Sequence, residues 1–272
     1  MTYCVGFWLE AGLVMASDSR TNAGVDYISS YRKLHIFEPA PDRLFMLLAA
    51  GNLATTQAVI NHIKRDLNQA RRDGSPMAGL PLVGQGGSGG ASRQHDLLSA
   101  SYLFEVAAYI GRLSVEVQNE NHSALHQVGA SGEASFILGG QIAGQPHGLY
   151  LIYPQGNAIM ATPETPFLQI GESKYGKPPL DSVGHCRMSL EDAARLCLVS
   201  QVITRRSNLT VGPPFEVAIY PRDSLAVAHH QRLERGATEI AEINRIWIES
   251  QRQAMQRLPR FPWEQERSGV PT

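Results

Sequence analysis

Three residues near the start of the chain, Thr2, Asp18 and Lys33, carry the hydroxyl, carboxylate and ammonium groups of a possible nucleophilic site. Residues 2–9 and 13–20 are apolar, β-prone runs on either side of a short turn that contains glycine, a pattern that predicts a hairpin. Pairing about this turn sets Thr2 opposite Asp18 or its neighbour. Lys33 immediately precedes the next apolar run, so it reaches the same end of the sheet if that strand joins on.

Thr2 can supply both a nucleophile and a base if Met1 is removed, because its γ-hydroxyl and its free α-amine then belong to one residue. The amine takes the hydroxyl proton, directly or through a water molecule. A nearby ammonium lowers the pKa of both groups, and a carboxylate fixes the charge and the position of the lysine. If Met1 is retained, the nitrogen of Thr2 is an amide and cannot act as a base.

These residues and several later strings resemble a known family. Thr2, the string ASDSRTNAG at residues 16–24 and the Arg32-Lys33 pair are similar to the proteasome β-subunits, which are N-terminal-nucleophile hydrolases. The later strings resemble those of the bacterial proteasome-related group called Anbu, in the same order, and the resemblance covers roughly residues 2–230. They are GGQI at 139–142, YPQGN at 153–157, TPETP at 162–166, GESKYGKP at 171–178 and RSNLTVG at 206–212.

The resemblance implies a threonine-type peptidase with Thr2, Asp18 and Lys33 as its catalytic residues. It also implies a four-layer αββα sandwich, no metal or organic cofactor, and homo-oligomeric rings or open ring-like assemblies that cleave peptides or unfolded proteins. The apolar side chains of the last predicted helix are a plausible contact between copies. They are Ile240, Ile243, Trp247 and Ile248.

Gly51 is the candidate oxyanion donor. It lies between an apolar run at 44–50 and a helical stretch, and a backbone N–H at such a junction can stabilise a developing negative charge. The resemblance places the oxyanion glycine here too. The alternative is a purely conformational glycine at a strand-to-helix turn, and the sequence leaves both interpretations open.

The sequence departs from the proteasome pattern in the part that supports the nucleophile. Proteasome β-subunits have an aspartate and a serine in a late loop, whereas the matching loop here has Ser207 and Thr210. A further serine of the family corresponds to Glu172 or Ser173, in a register that the sequence does not fix. Ser17, beside Asp18, is a candidate for a hydrogen bond to the site. These changes weaken the support for the terminal amine and leave the lysine-mediated step in place.

The order of the predicted elements, ββββ-αα-ββββ-α-β-α, indicates an α+β fold with two antiparallel sheets covered by helices. Strands are predicted at 34–37, 44–50, 135–138, 149–153, 158–160, 167–170 and 215–220, and helices at 52–70, 95–119, 190–204 and 238–258. We expect one domain over residues 1–272, a flexible Gly-rich linker within 74–93, and a C-terminal helix and tail at 231–272.

Composition limits the function. The 272 residues are 43% hydrophobic with a formal net charge of −1 and no basic block, so a nucleic-acid partner is not expected. Three cysteines without metal-ligand spacing, and no membrane-length apolar run or leader, favour a reducing cytoplasm. The nine histidines lack the spacing of a metal site.

The predicted function is therefore peptide-bond hydrolysis by a cytoplasmic, self-assembling threonine peptidase. The altered late loop and the status of Met1 keep a second function open, a catalytically weak or silent assembly protein of the same fold. A small-amide hydrolase on the same sandwich is a third, distinguished by a preference for non-peptide amides.

Overall fold

The computed structural model describes residues 2–22, 28–73 and 95–266. The predicted Gly-rich linker within 74–93 lies outside the described residues, as do Met1 and residues 267–272. Two five-stranded antiparallel sheets and one two-stranded ribbon make up the β-structure of the described part.

The first sheet carries the N-terminal hairpin at its centre. Its strands are β1 (Tyr3–Leu9), β2 (Gly12–Asp18), β10 (Phe167–Gly171), β11 (Phe215–Pro221) and β12 (His229–Leu233). The spatial order is β10-β1-β2-β11-β12. All seven residues of β2 are buried, because one face of this strand packs on the second sheet and the other on helices.

The second sheet has the order β5-β6-β7-β8-β9 and also pairs antiparallel throughout. Its strands are β5 (Leu34–Ala40), β6 (Arg43–Gly51), β7 (Ala134–Ile142), β8 (Gly148–Ile152) and β9 (Ala158–Met160). The ribbon is formed by β3 (Arg20–Asn22) and β4 (Ile28–Ser30).

Helices cover the outer face of each sheet. They are α1 (Leu53–Asp73), α2 (Leu103–Gln127), α3 (Ser173–Val183), α4 (Leu190–Ser207), α5 (Thr238–Gln256) and α6 (Pro262–Glu266). Apolar side chains of α1 and α2 pack on the second sheet, and those of α3 and α4 on the first. A separate apolar layer, which includes Met15 and Met46, joins the two sheets. The α+β, four-layer αββα sandwich predicted from the sequence is confirmed.

Several elements differ from the predictions, among them α2, α3 and β12. The second helix begins at Leu103, eight residues later than predicted, where the Glu105 carboxylate accepts hydrogen bonds from the N–H groups of Ser101 and Tyr102. Helix α3 was not predicted, because it contains a glycine and two adjacent prolines that normally indicate a break. Strand β12 was missed because it is an edge strand with mostly exposed, polar residues. No helix of the described residues is long and apolar enough to cross a membrane.

Candidate active site

The N-terminal hairpin sets Thr2 and Asp18 at one end of the first sheet. Cys4 pairs with Ser17, so Tyr3 lies opposite Asp18 and Thr2 lies one step beyond, as predicted. The backbone N–H of Tyr3 donates to Asp18 Oδ1 at 3.0 Å. The carboxylate at the end of β2 therefore holds the start of β1 in place, next to Thr2.

Lys33 reaches the same sheet end and forms an ion pair with Asp18. Its Nζ lies 2.6 Å from Asp18 Oδ1 and 2.6 Å from the backbone oxygen of Arg20. The backbone N–H of Gly212 donates to Asp18 Oδ2 at 3.1 Å, so both carboxylate oxygens accept hydrogen bonds. The structure thus brings together Asp18 and Lys33, which lie fifteen residues apart.

Both members of this ion pair are almost wholly withdrawn from solvent, Asp18 at 0% and Lys33 at 6% exposure. Burial raises the pKa of the Asp18 carboxyl, and the Lys33 ammonium and the two backbone N–H donors oppose that shift. Burial also raises the pKa of the neighbouring Cys4 thiol. The cysteine beside the site is therefore a neutral thiol and a poor nucleophile.

An open cavity of about 950 Å³ lies over this sheet end. Thr2, Lys33 and Gly51 all line it, together with the first residues of α1 and with Gly171. The three elements that carry the predicted nucleophile, lysine and oxyanion donor thus converge on one space, whose size is in the range of ligand-binding clefts.

Gly51 is the last residue of β6 and has a φ of +114°, a conformation open to glycine. A side chain here would also collide with the carbonyl oxygen of Glu133 on the neighbouring segment. The conformational interpretation of Gly51 is therefore correct. It does not exclude the oxyanion role, which stays a prediction.

Gly171 is a site residue that the sequence analysis missed as such. It has a φ of +82°, and a Cβ there would collide with the backbone oxygen of Thr2. The next residue, Glu172, donates its backbone N–H to that same oxygen at 2.7 Å. The end of β10 thus fixes the backbone of Thr2. A glycine followed by polar residues at the end of a predicted strand was the available signal.

The five supporting residues do not line the cavity. Ser17 is buried on the strand face opposite Asp18, and its hydroxyl has no partner among the described residues. Ser207 ends α4 and is exposed. Ser173 begins α3, where its backbone oxygen accepts a 3.4 Å hydrogen bond from Gln169. The remaining two, Glu172 and Thr210, are joined through a residue that the sequence analysis did not consider.

That residue is Asn208. Its Nδ2 donates to Glu172 Oε2 at 2.8 Å, and its Oδ1 accepts from Thr210 Oγ1 at 2.6 Å and from Thr210 N at 3.0 Å. The late loop therefore links the segment after α4 to the buried Glu172, whose backbone N–H bonds the Thr2 carbonyl. In this loop a neutral amide thus faces a carboxylate.

Known structures resemble this one over nearly the whole chain. The Anbu (Gly-1) mutant from Hyphomicrobium sp. strain MC1 is 38% identical, with 96% of this chain and 99% of that chain covered and a TM-score of 0.81. Anbu (ancestral beta-subunit) from Yersinia bercovieri is 37% identical, with the same coverage and TM-score. The Anbu of a helical assembly from Pseudomonas aeruginosa is 42% identical, with 96% and 98% covered and a TM-score of 0.81.

The chain belongs to the Anbu family. The resemblance found in the sequence is thereby confirmed, although no protein-family model and no curated protein matches the chain. The four-layer sandwich described above is therefore the architecture of a proteasome-related subunit. The cavity over Thr2 is therefore the part of the structure in which to look for its chemistry. The described residues contain no group of three or more His, Cys, Asp or Glu side chains that could hold a metal.

Proposed function

We propose that this Anbu chain is a threonine-type N-terminal-nucleophile peptidase that works in a homo-oligomer. The observation that carries the proposal is the convergence of Thr2, the Lys33–Asp18 ion pair and Gly51 around one open cavity. The substrate is a peptide or an unfolded protein, and no metal or organic cofactor takes part.

Thr2 Oγ attacks the peptide carbonyl carbon, and the α-amine of the same residue accepts the hydroxyl proton. Lys33 is less suited to be the base, because its Nζ donates to Asp18 and to the Arg20 carbonyl in a buried ion pair. As an ammonium it lowers the pKa of the adjacent nucleophile and amine. Removal of Met1 is required for this step. The amine then returns the proton to the leaving nitrogen, and water cleaves the acyl-enzyme.

The oxyanion that forms during attack is stabilised at the strand-to-helix junction. Gly51 supplies its backbone N–H, and α1 begins two residues later, at the edge of the same cavity. The positive end of the helix dipole thus faces the developing charge. Removal of one such donor slows comparable enzymes by about 10²–10³-fold.

The assembly part of the proposal rests on two observations. The relative from Pseudomonas aeruginosa forms a helical assembly. Helix α5 and the segment after it carry exposed apolar side chains, while only Ile240 of α5 is buried. The exposed ones are Ile246, Met255, Leu258, Phe261 and Trp263. A surface of this kind favours contact with another copy. A monomer at micromolar concentration in multi-angle light scattering would contradict it.

The proposed location is the cytoplasm, because Cys4, Cys186 and Cys197 are all free thiols.

The decisive experiment is intact-mass spectrometry before and after reaction with a peptide epoxyketone, which reacts with an N-terminal threonine. We expect loss of Met1 and one adduct, located on Thr2 and absent in Thr2→Ala. Thr21→Ala is the matched control, because it removes another threonine hydroxyl from the same cavity and should leave labelling intact. A chain without Met1 that never labels would contradict the proposal.

A second function, a catalytically silent assembly protein, is favoured by the altered late loop, which has Ser207 and Thr210 where proteasome β-subunits have an aspartate and a serine. Failure of labelling together with a defined oligomer would support it. The third, a small-amide hydrolase, would show as labelling accompanied by faster turnover of non-peptide amides than of peptides.

A further inference from the structure

The cavity over Thr2 has a one-sided charge. Arg32, Lys33 and Lys64 line it, and the described residues that line it include no aspartate or glutamate. The other polar lining groups are neutral, with Asn52 directly before α1 and Gln57 and Asn61 on it. The side chains facing the space between Thr2 and α1 therefore favour an anion over a cation.

The positive groups differ in how far they are neutralised. Lys33 is paired with the buried Asp18 at 2.6 Å and is part of the catalytic arrangement. Arg32 lies 3.4 Å from Glu216, a carboxylate that it shares with Arg232. Lys64, on the exposed side of α1, takes part in none of the ion pairs found in the described residues. Lys64 and the half-neutralised Arg32 are thus available to a ligand.

His35 lines the same cavity as these two cations. Burial, followed by the positive charges of Lys64 and Arg32, lowers the pKa of His35 to about 4. Glu216 and a backbone hydrogen bond with Arg32 oppose that shift. The imidazole is therefore neutral at physiological pH and does not offset the positive charge of the cavity wall.

The wall between these groups is built from small residues. Ala49 and Ala50, at the end of β6, face the same cavity directly before Gly51. Small side chains leave room for a side chain of the substrate beside the proposed oxyanion site. A short acidic side chain would then lie between α1, which carries Lys64, and the start of β5.

We propose that this cavity selects a substrate residue with a carboxylate side chain, which Lys64 and Arg32 bind by charge-assisted hydrogen bonds. The identity of the bound peptide as a substrate rests on the proposed peptidase function, whereas the binding preference itself does not need turnover. Lys64 and Arg32 are specificity-determining residues in this proposal.

The test measures binding in Thr2→Ala protein, so that cleavage does not intervene. Two amidated peptides with a neutral fluorophore, identical except for one Glu or Gln, are titrated by fluorescence anisotropy. We expect the Glu peptide to bind about tenfold more tightly at low salt, because two cations face its carboxylate. A Lys peptide should bind more weakly than either. Added NaCl should reduce the preference for Glu, since these charges are partly exposed to solvent.

Substitution of Lys64 localises the effect. Lys64→Gln should remove most of the Glu-over-Gln preference, and Lys64→Glu should reverse it. Arg72→Gln is the matched control, because it removes one positive charge from the same helix, two turns on, and Arg72 does not line the cavity. It should leave the preference unchanged. Equal binding of the Glu and Gln peptides, or equal effects of Lys64→Gln and Arg72→Gln, would overturn the proposal.

The outcome is separate from that of the proposed function. Epoxyketone labelling of Thr2 reports on the nucleophile, and anisotropy reports on the cavity. Labelling without a preference for Glu would leave the peptidase proposal standing and refute the acidic specificity. A preference for Glu without labelling would support an acid-selective binding site on a silent assembly protein.

Discussion

Asp18 and Glu216 are two fully buried carboxylates on neighbouring strands, and they are neutralised in opposite ways. Asp18 pairs with a single lysine that is itself 93% buried on its side chain, and two backbone N–H groups complete its hydrogen bonds. Glu216 pairs with Arg32, Arg232 and His230, whose side chains are 55%, 38% and 31% exposed. The two acids are equally buried, but removal of each acid leaves its positively charged partners in a different environment.

The difference shows that the charge of Lys33 is held in place by the fold, whereas the charges around Glu216 can rearrange. The Lys33 side chain is only 7% exposed, so little water can replace Asp18, and the charge and position of Lys33 depend on that one carboxylate. The cations around Glu216 can hydrate or turn outward. This is consistent with a catalytic role for the first pair and with a ligand-responsive role for Arg32 at the cavity.

The largest expected effect is that of Asp18→Asn. It leaves a buried ammonium without its counter-charge, and we expect a loss of about 3–5 kcal/mol in the free energy of unfolding. Chemical denaturation at neutral pH measures this loss. The double variant Asp18→Asn/Lys33→Met should recover part of the stability, since no lone buried charge remains. A single-variant loss below that of Glu216→Gln would break the comparison.

Glu172 is an intermediate case, because this buried carboxylate faces the neutral amide of Asn208 at 2.8 Å and the more distant Lys174 at 3.6 Å. Asn208→Asp would place two carboxylates together, which raises the pKa of one of them in the folded state. Such a group stabilises the fold below its unfolded pKa of about 4 and loses that contribution as the pH rises through its folded pKa.

For Asn208→Asp we therefore expect a deficit in stability of about 2 kcal/mol at pH 7 that shrinks towards pH 4. Denaturation curves of the variant and the wild type across this range measure it. Asn208→Ala is the control, because it removes the same hydrogen bond without adding a charge, and its deficit should vary little with pH. A pH-independent deficit for Asn208→Asp would show that the two carboxylates do not interact.

The N-terminal hairpin and its ion pair could be predicted from the sequence because their determinants are local. The hairpin register follows from one short turn, and it alone brings Asp18 beside Tyr3. Lys33 follows two short strands later, at the start of β5. The same alternation of strand residues places Ser17 on the face opposite Asp18, which explains why the hydrogen bond predicted from Ser17 to the site is not formed.

The late loop could not be predicted, because its contacts depend on the packing of two helices. Asn208 and Glu172 are 36 residues apart, and α3 and α4 lie between them. The prolines of α3 obscured that helix, and without it the loop had no defined position. Ser207 and Thr210 were therefore predicted only from the match of this loop to the family, whereas the residue that contacts Glu172 is the amide between them.

The smallest expected effect is that of Glu216→Gln, which tests the exposed side of the comparison. The neutral side chain can still accept a hydrogen bond from an arginine, and the exposed cations can hydrate, so we expect a loss of about 1 kcal/mol. Because the charge of Glu216 raises the pKa of His35, its removal should also lower that pKa below about 4. An NMR titration of the His35 imidazole in both proteins measures this shift. An unchanged His35 pKa would show that the charge of Glu216 does not act on the cavity. Arg32 would then present more of its positive charge to a ligand there.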